Sequence, residues 1–214
     1  MDVVLDNLDV FARGMRTTVS LTVLSFAMAL VIGTVVAAFR VSPVPPLRWV
    51  GAIYVELVQN SPLPVLFVLF FFGLPKVGIQ FEPFATAVVV LGAYTGAYVG
   101  EMVRSGINTV SVGQAEAARS LGLTFPQVLG IVVLPQALRT VVAPLGGLFI
   151  ALIKNSSIAT LIGVLELTSR TDLLANDTAR AIPVYLGAAA AYLVLTIPSG
   201  IAIEALDRRV AIRR

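Results

Sequence analysis

Two polar clusters interrupt long apolar runs: Asn60-Ser61 within "YVELVQNSPLPVLF", and Lys154-Asn155-Ser156-Ser157 within "ALIKNSSIATLIG". Amides and hydroxyls both donate and accept hydrogen bonds, and an ammonium donates only. Such a set either lines a hydrated path or only satisfies kinked helices and a structural lysine, and Asn60, Ser61, Asn155 and Ser156 are the candidate substrate-path residues. Lys154 reads equally as substrate-facing or structural. A third group, Tyr94, Tyr98 and Glu101, follows i, i+4, i+7 spacing and aligns toward one side of a helix. Two readings of it stand: a wet path, or two interfacial aromatics with a snorkelling acid. Histidine and cysteine are both absent. Thiol nucleophiles, disulfides, imidazole proton shuttles and the commonest metal ligands are thereby excluded, and no metal site is expected. No Gly-x-x-x-x-Gly-Lys-Ser/Thr run exists to cradle phosphates, so the chain is not expected to bind or hydrolyse ATP itself.

The elements that hold these residues must be membrane helices. Of 214 residues, 57% are hydrophobic and 13% charged, against about 25% charged in soluble domains. The fold class expected is all-α and integral to the membrane, with about five crossings near 17–39, 49–72, 84–104, 141–163 and 183–205. The net charge of +3 is scattered beside apolar spans and reads as a topology signal, not a nucleic-acid footprint. With the N-terminus outside, the cytoplasm receives Arg40, Arg48, Arg104, Arg119, Arg139 and the C-terminal arginines, as the positive-inside rule favours. The opening "MDVVLDNLDVFARGMR" starts with acids, unlike a cleaved secretory signal; it reads as a short interfacial amphipathic helix or a frayed tail. The chain thus divides into an N-terminal segment 1–16, a transmembrane unit 17–205 and a basic cytoplasmic tail 206–214. In the third span Gly92, Gly96 and Gly100 recur every fourth residue, which flattens one face for close approach of another helix.

A lysine at mid-span is penalised by about 2.5–3.5 kcal/mol, while each Leu, Ile, Phe or Val returns about 0.3–0.6 kcal/mol. The surrounding Val141, Val142, Leu145, Leu148, Phe149, Ile150, Leu152 and Ile153, with Ile158, Leu161 and Ile162, outweigh it. Insertion is therefore favourable, and the ammonium is expected to face the bundle interior or a hydrated cavity rather than lipid.

The third gap, 105–140, is too patterned for a plain connector. Ser111 with Gln114, and Thr124 with Gln127, have capping-box spacing, and Pro126 falls in the first turn of the second helix. The first helix, "QAEAARSLG", ends at Gly122, suited to a left-handed cap. Its modest apolar face either packs back on its own bundle or seats in a partner's groove.

At this point the residues carry a family likeness. "EAARSLG", nine further residues and then "VVLP" resembles the E-A-A loop of membrane subunits of ABC importers: Glu116, Ala117, Ala118, Gly122, Leu134 and Pro135 match, with Val132 where isoleucine is usual. From residue 17 onward the chain resembles the polar amino acid group of these permeases, glutamate-type subunits in particular. One departure is Gln59 three residues after Glu56, where relatives often carry arginine; an ion pair there is lost.

The resemblance implies a type I importer permease fold in the bacterial cell membrane. It implies that Gln114, Glu116, Ala117, Ala118 and Gly122 couple to a cytoplasmic ATP-binding dimer that holds ATP-Mg, while this chain needs no cofactor. A second permease subunit, copy or paralogue, and an extracytoplasmic substrate-binding protein would complete the assembly. The cargo implied is a polar amino acid, glutamate by overall likeness. The competing expectations are a non-transporting membrane scaffold and a secondary transporter using Glu56 or Glu101 as proton carrier.

Overall fold

Helices account for every element that the computed structural model describes, over residues 2–210, with Phe125 described by its backbone only. The last four residues of the expected basic tail, 211–214, lie outside the described residues. A short turn, α1 (Asp2–Leu5), precedes α2 (Leu8–Val41), so residues 8–16, expected as a separate interfacial piece, belong to the first long helix. Then follow α3 (Pro45–Gln59), α4 (Leu63–Val68), α5 (Pro83–Asn108), α6 (Val112–Ser120), α7 (Phe125–Gln127), α8 (Leu134–Asn155), α9 (Leu167–Thr178) and α10 (Ala181–Val210). Wide turns at Leu69–Gly73 and Val128–Val133 and tight turns at Leu74–Val77 and Ser156–Ile162 extend α4 and α8.

Among the described residues, four helices are long and apolar enough to cross a bilayer: α2, α5, the run Val128–Ile162 and α10. The second expected span is corrected: instead of one straight crossing over 49–72, α3 and the Leu63–Val77 run meet at 104°. The cause is local. Pro62 has no N–H to continue α3 and disfavours helical geometry at Ser61. Ser61 N–H turns to Val58 O at 3.3 Å, and Leu57 O takes Ser61 Oγ at 2.6 Å, while Asn60 Nδ2 at 2.8 Å joins its own N–H on Glu56 O. The third gap also shrinks. Because α5 runs to Asn108 and helix resumes at Phe125, only about 109–124 is connector, with α6 inside it.

Packing centres on α2 against α5. A Cβ on Gly92 would lie 3.0 Å from Met28, on Gly96 3.0 Å from Ile32, and on Gly100 2.9 Å from Val36. The four-residue glycine repeat is thus a contact face, which lets the two backbones close without voids. Gly33 supplies the reciprocal approach: its added Cβ would meet Val99, and the Gly100 backbone nitrogen at 2.8 Å. Because backbone cannot swing aside, Gly33→Val is expected to destabilise the bundle by about 1–3 kcal/mol. Thermal unfolding of detergent-solubilised protein should show a lower midpoint; an unaltered midpoint would contradict this packing.

Candidate functional site

The connector helix α6 is built by its ends. At its C-terminus Gly122 adopts φ +88°, its N–H bonds Arg119 O at 2.9 Å, and Leu123 N–H reaches Ala118 O at 3.2 Å. This pair of bonds around a left-handed residue is the Schellman arrangement that stops a helix sharply. At its N-terminus the expected Ser111/Gln114 box does not form, because Ser111 makes no side-chain cap bond and Gln114 Oε1 instead accepts from Gln136 Nε2 at 2.8 Å. The second expected box forms by its returning half, Gln127 Oε1 accepting from Thr124 N at 2.8 Å. Ala118 is buried, and α6 lies on the Val128–Val133 turn. Away from that contact the helix is open, with Val112 72% exposed and Glu116 and Ala117 exposed beside it, while Leu121 and Gln114, on the side of Ala118, are exposed toward the two ends. An apolar-and-acidic helical face outside the crossings has the shape of a docking surface.

The same end of the bundle carries an ion-pair clasp. Glu101 of α5 accepts from Arg104, through Nε at 3.1 Å and through a second guanidinium nitrogen, and pairs with Arg40 of α2 at 3.2 Å. Neither sequence reading of Glu101, path-lining acid or lone snorkeller, matches this: it locks α2 to α5. Tyr98 shares a hydroxyl contact with Tyr94 at 3.2 Å, both half-buried. Reading Arg40 and Arg104 only as topology charges hid this clasp, since their pairing depends on the approach of two helices that the sequence does not specify.

The mid-depth polar stretches come together as elements. α4, directly after Asn60-Ser61, packs against Ser156–Ile162, directly after Asn155. Within them the residues differ. Asn60 is exposed, and its Nδ2 also reaches Glu56 Oε2 at 3.2 Å, the partner Glu56 has in place of the missing arginine; Gln59 instead donates to Ala97 O at 3.4 Å. Lys154 is exposed and has no ion-pair partner among the described residues, while Asn155 beside it is half-buried. Ser156 is a correction: it is fully enclosed, its hydroxyl donating to Ile153 O at 2.7 Å, and so closes the end of α8 rather than lining a path.

At the opposite end, Glu166 is fully buried. Its carboxylate accepts from Ser169 N at 2.7 Å, Thr168 N at 2.8 Å and Tyr192 Oη at 3.1 Å, capping α9 and joining it to α10. Leu167 N donates to Thr18 Oγ1 at 3.2 Å, which ties the same corner to α2. Burial pushes the Glu166 carboxyl above its usual range, against the opposing pull of these bonds.

Residues 29–212 match the family described as the inner membrane component of binding-protein-dependent transport systems. The chain belongs to that family. Among its relatives, this transport component is 39% identical over 209 residues to a probable glutamine ABC transporter permease protein, GlnM, of Bacillus subtilis (strain 168), covering 98% of this chain and 97% of that protein. It is 37% identical over 210 residues to a glutamate transport system permease protein, GluC, of Corynebacterium efficiens, covering 92% of each. Its fold superposes with TM-score 0.90 on a chain of a crystal structure of an amino acid ABC transporter with histidines, at 33% identity and 96% coverage of both chains. The all-helical, multi-pass fold expected from composition and the importer-permease resemblance are both borne out by these likenesses.

Proposed function

We propose that this chain is the permease subunit of an ATP-driven importer that carries a polar amino acid, glutamate being the favoured cargo, across the bacterial cell membrane. The observation that carries the reading is α6, a capped helix set on the connector between two crossings with one face open. In this reading α6 seats in a groove of a cytoplasmic ATPase dimer loaded with ATP-Mg, and the N-terminus lies outside. A second permease subunit, copy or paralogue, faces this one across the path, and an extracytoplasmic binding protein delivers cargo. Nucleotide-driven closure of the ATPase moves α6, and the crossings follow into the alternate conformation.

Support for an acidic cargo comes from Lys154, an exposed cation without an acid partner among the described residues, next to the amide of Asn155. An ammonium and two amides offer donors to a carboxylate and acceptors to an α-ammonium. The proton-coupled alternative lacks an idle carboxylate here, since Glu56 is engaged by Asn60 and Glu101 by two arginines.

Reconstituted complex should accumulate radiolabelled glutamate in preference to glutamine or cystine. Asn155→Leu and Asn60→Leu subunits that insert normally are expected to lose about tenfold in uptake, the loss of roughly 1.4 kcal/mol of cargo interaction. Full uptake by both variants would remove these residues from the path, and a preference for glutamine would reassign the cargo.

A further inference from the structure

We propose that Gln136 is a positioning residue that ties the coupling helix α6 to the start of α8, so that the two move as one body. The proposal rests on the reading that α6 docks on an ATPase. Gln136 Nε2 donates to Gln114 Oε1 of α6 at 2.8 Å and to Val132 O, one turn back in its own helix, at 2.8 Å. A side-chain amide nitrogen has two hydrogens, and both are used. The bond to Val132 fixes the side chain's direction, so the second hydrogen is already aimed at α6.

The link complements the packing of α6 on the turn that follows it. Toward its C-terminal half, Ala118 is buried and the helix rests on Val128–Val133, where Val128 is buried. The chain route from α6 to α8 passes through Gly122 in a left-handed conformation with no atom near where a Cβ would be. The Gln114–Gln136 bond, near the other end of α6, links that helix directly to α8 and bypasses this route. From Gln136, α8 continues to Asn155, about 28 Å at 1.5 Å per residue. A displacement of α6 is thereby delivered along α8 to the polar cluster beside Lys154. An exposed amide pair adds little to stability; its effect is on direction of movement, and an ATPase covering the open face of α6 would shield it from water.

The test uses the permease reconstituted with its ATPase, with radiolabelled glutamate and glutamine as probes. Gln136→Leu should lower ATP-dependent uptake about fivefold or more with ATPase binding and basal hydrolysis unchanged, whereas Gln114→Glu, which keeps an acceptor oxygen, should transport normally. As the chain has no cysteine, Gln114→Cys/Gln136→Cys can be joined by a short reducible thiol cross-linker. The unjoined pair should be deficient and joining should restore uptake. Normal uptake by Gln136→Leu, or a joined pair that stays inactive until reduced, overturns the proposal. Glu116→Lys separates the two levels: if it uncouples while Gln136→Leu transports normally, docking stands and the tether fails; if it too is silent, docking itself fails.

Discussion

Gly122→Pro is expected to abolish ATP-coupled uptake, by at least about tenfold or roughly 1.4 kcal/mol, while leaving the subunit in the membrane. Proline fixes φ near −65°, whereas Gly122 holds +88°. It also deletes the N–H bonded to Arg119 O, and its ring drives Leu121 out of helical geometry. α6 has nine residues, too few to stay helical unaided, so loss of the cap opens its C-terminal turn and the stroke is absorbed. The crossings keep their apolar spans, which is why insertion survives. Gly122→Ala provides the graded control. Space is open around that Cβ, so only the left-handed backbone penalty of about 1–2 kcal/mol remains, and uptake should fall between wild type and proline. Glu116→Lys should uncouple with the helix intact, because Glu116 is exposed on the open face and reverses charge there without touching a cap. Equal uptake by glycine, alanine and proline variants would contradict the role of a stiff α6.

Glu166→Ala is expected to be the most destabilising single change outside the α2–α5 contact, by about 2–4 kcal/mol. Two backbone donors at the start of α9, at Thr168 and Ser169, lose their acceptor, and Tyr192 loses one partner while keeping Thr168 Oγ1 at 2.9 Å. Cap loss alone accounts for about 1 kcal/mol; burial of the orphaned groups supplies the rest. Thermal unfolding in detergent reads it directly, and Glu166→Gln, which keeps one acceptor oxygen, should fall between. The pH dependence has a defined sign. Burial raises the folded carboxyl above its ordinary 4.5, so the folded state holds the proton more tightly than the unfolded one. Its contribution is fully present below 4.5 and is lost as pH rises through the raised folded value. Wild type should therefore decline relative to Glu166→Gln as pH increases across that window; parallel curves would contradict the assignment.

Much of the architecture is legible in the sequence because its causes are local. Apolar runs long enough to span announce the crossings, the glycine repeat at 92, 96 and 100 announces a close helix contact, and Gly122 announces the end of α6. Where partners lie far apart in the chain, legibility ends. Glu166 caps α9 through neighbours two and three residues on, but Tyr192, 26 residues onward, also bonds its carboxylate and Thr18 bonds the N–H of adjacent Leu167 from 149 residues back, and nothing in "VLELTSRT" signals those meetings. The Arg40–Glu101 pair and the Gln136–Gln114 bond are of the same kind. In the candidate site, residue types do not fix orientation: a one-residue step takes the helix from exposed Lys154 to half-buried Asn155 and a further step to enclosed Ser156. The two prolines near residue 62 signal a break, yet its angle of 104° is set by how α4 packs on the end of α8.

The central claim, that a foreign ATPase drives this bundle through α6, is tested most directly in sealed vesicles holding the reconstituted complex. Radiolabelled glutamate uptake is followed with ATP present or withheld and with an imposed proton gradient. The account predicts accumulation that requires ATP, ignores the gradient and disappears in Gly122→Pro. Accumulation driven by the gradient without ATP, or unaffected by that substitution, would contradict it.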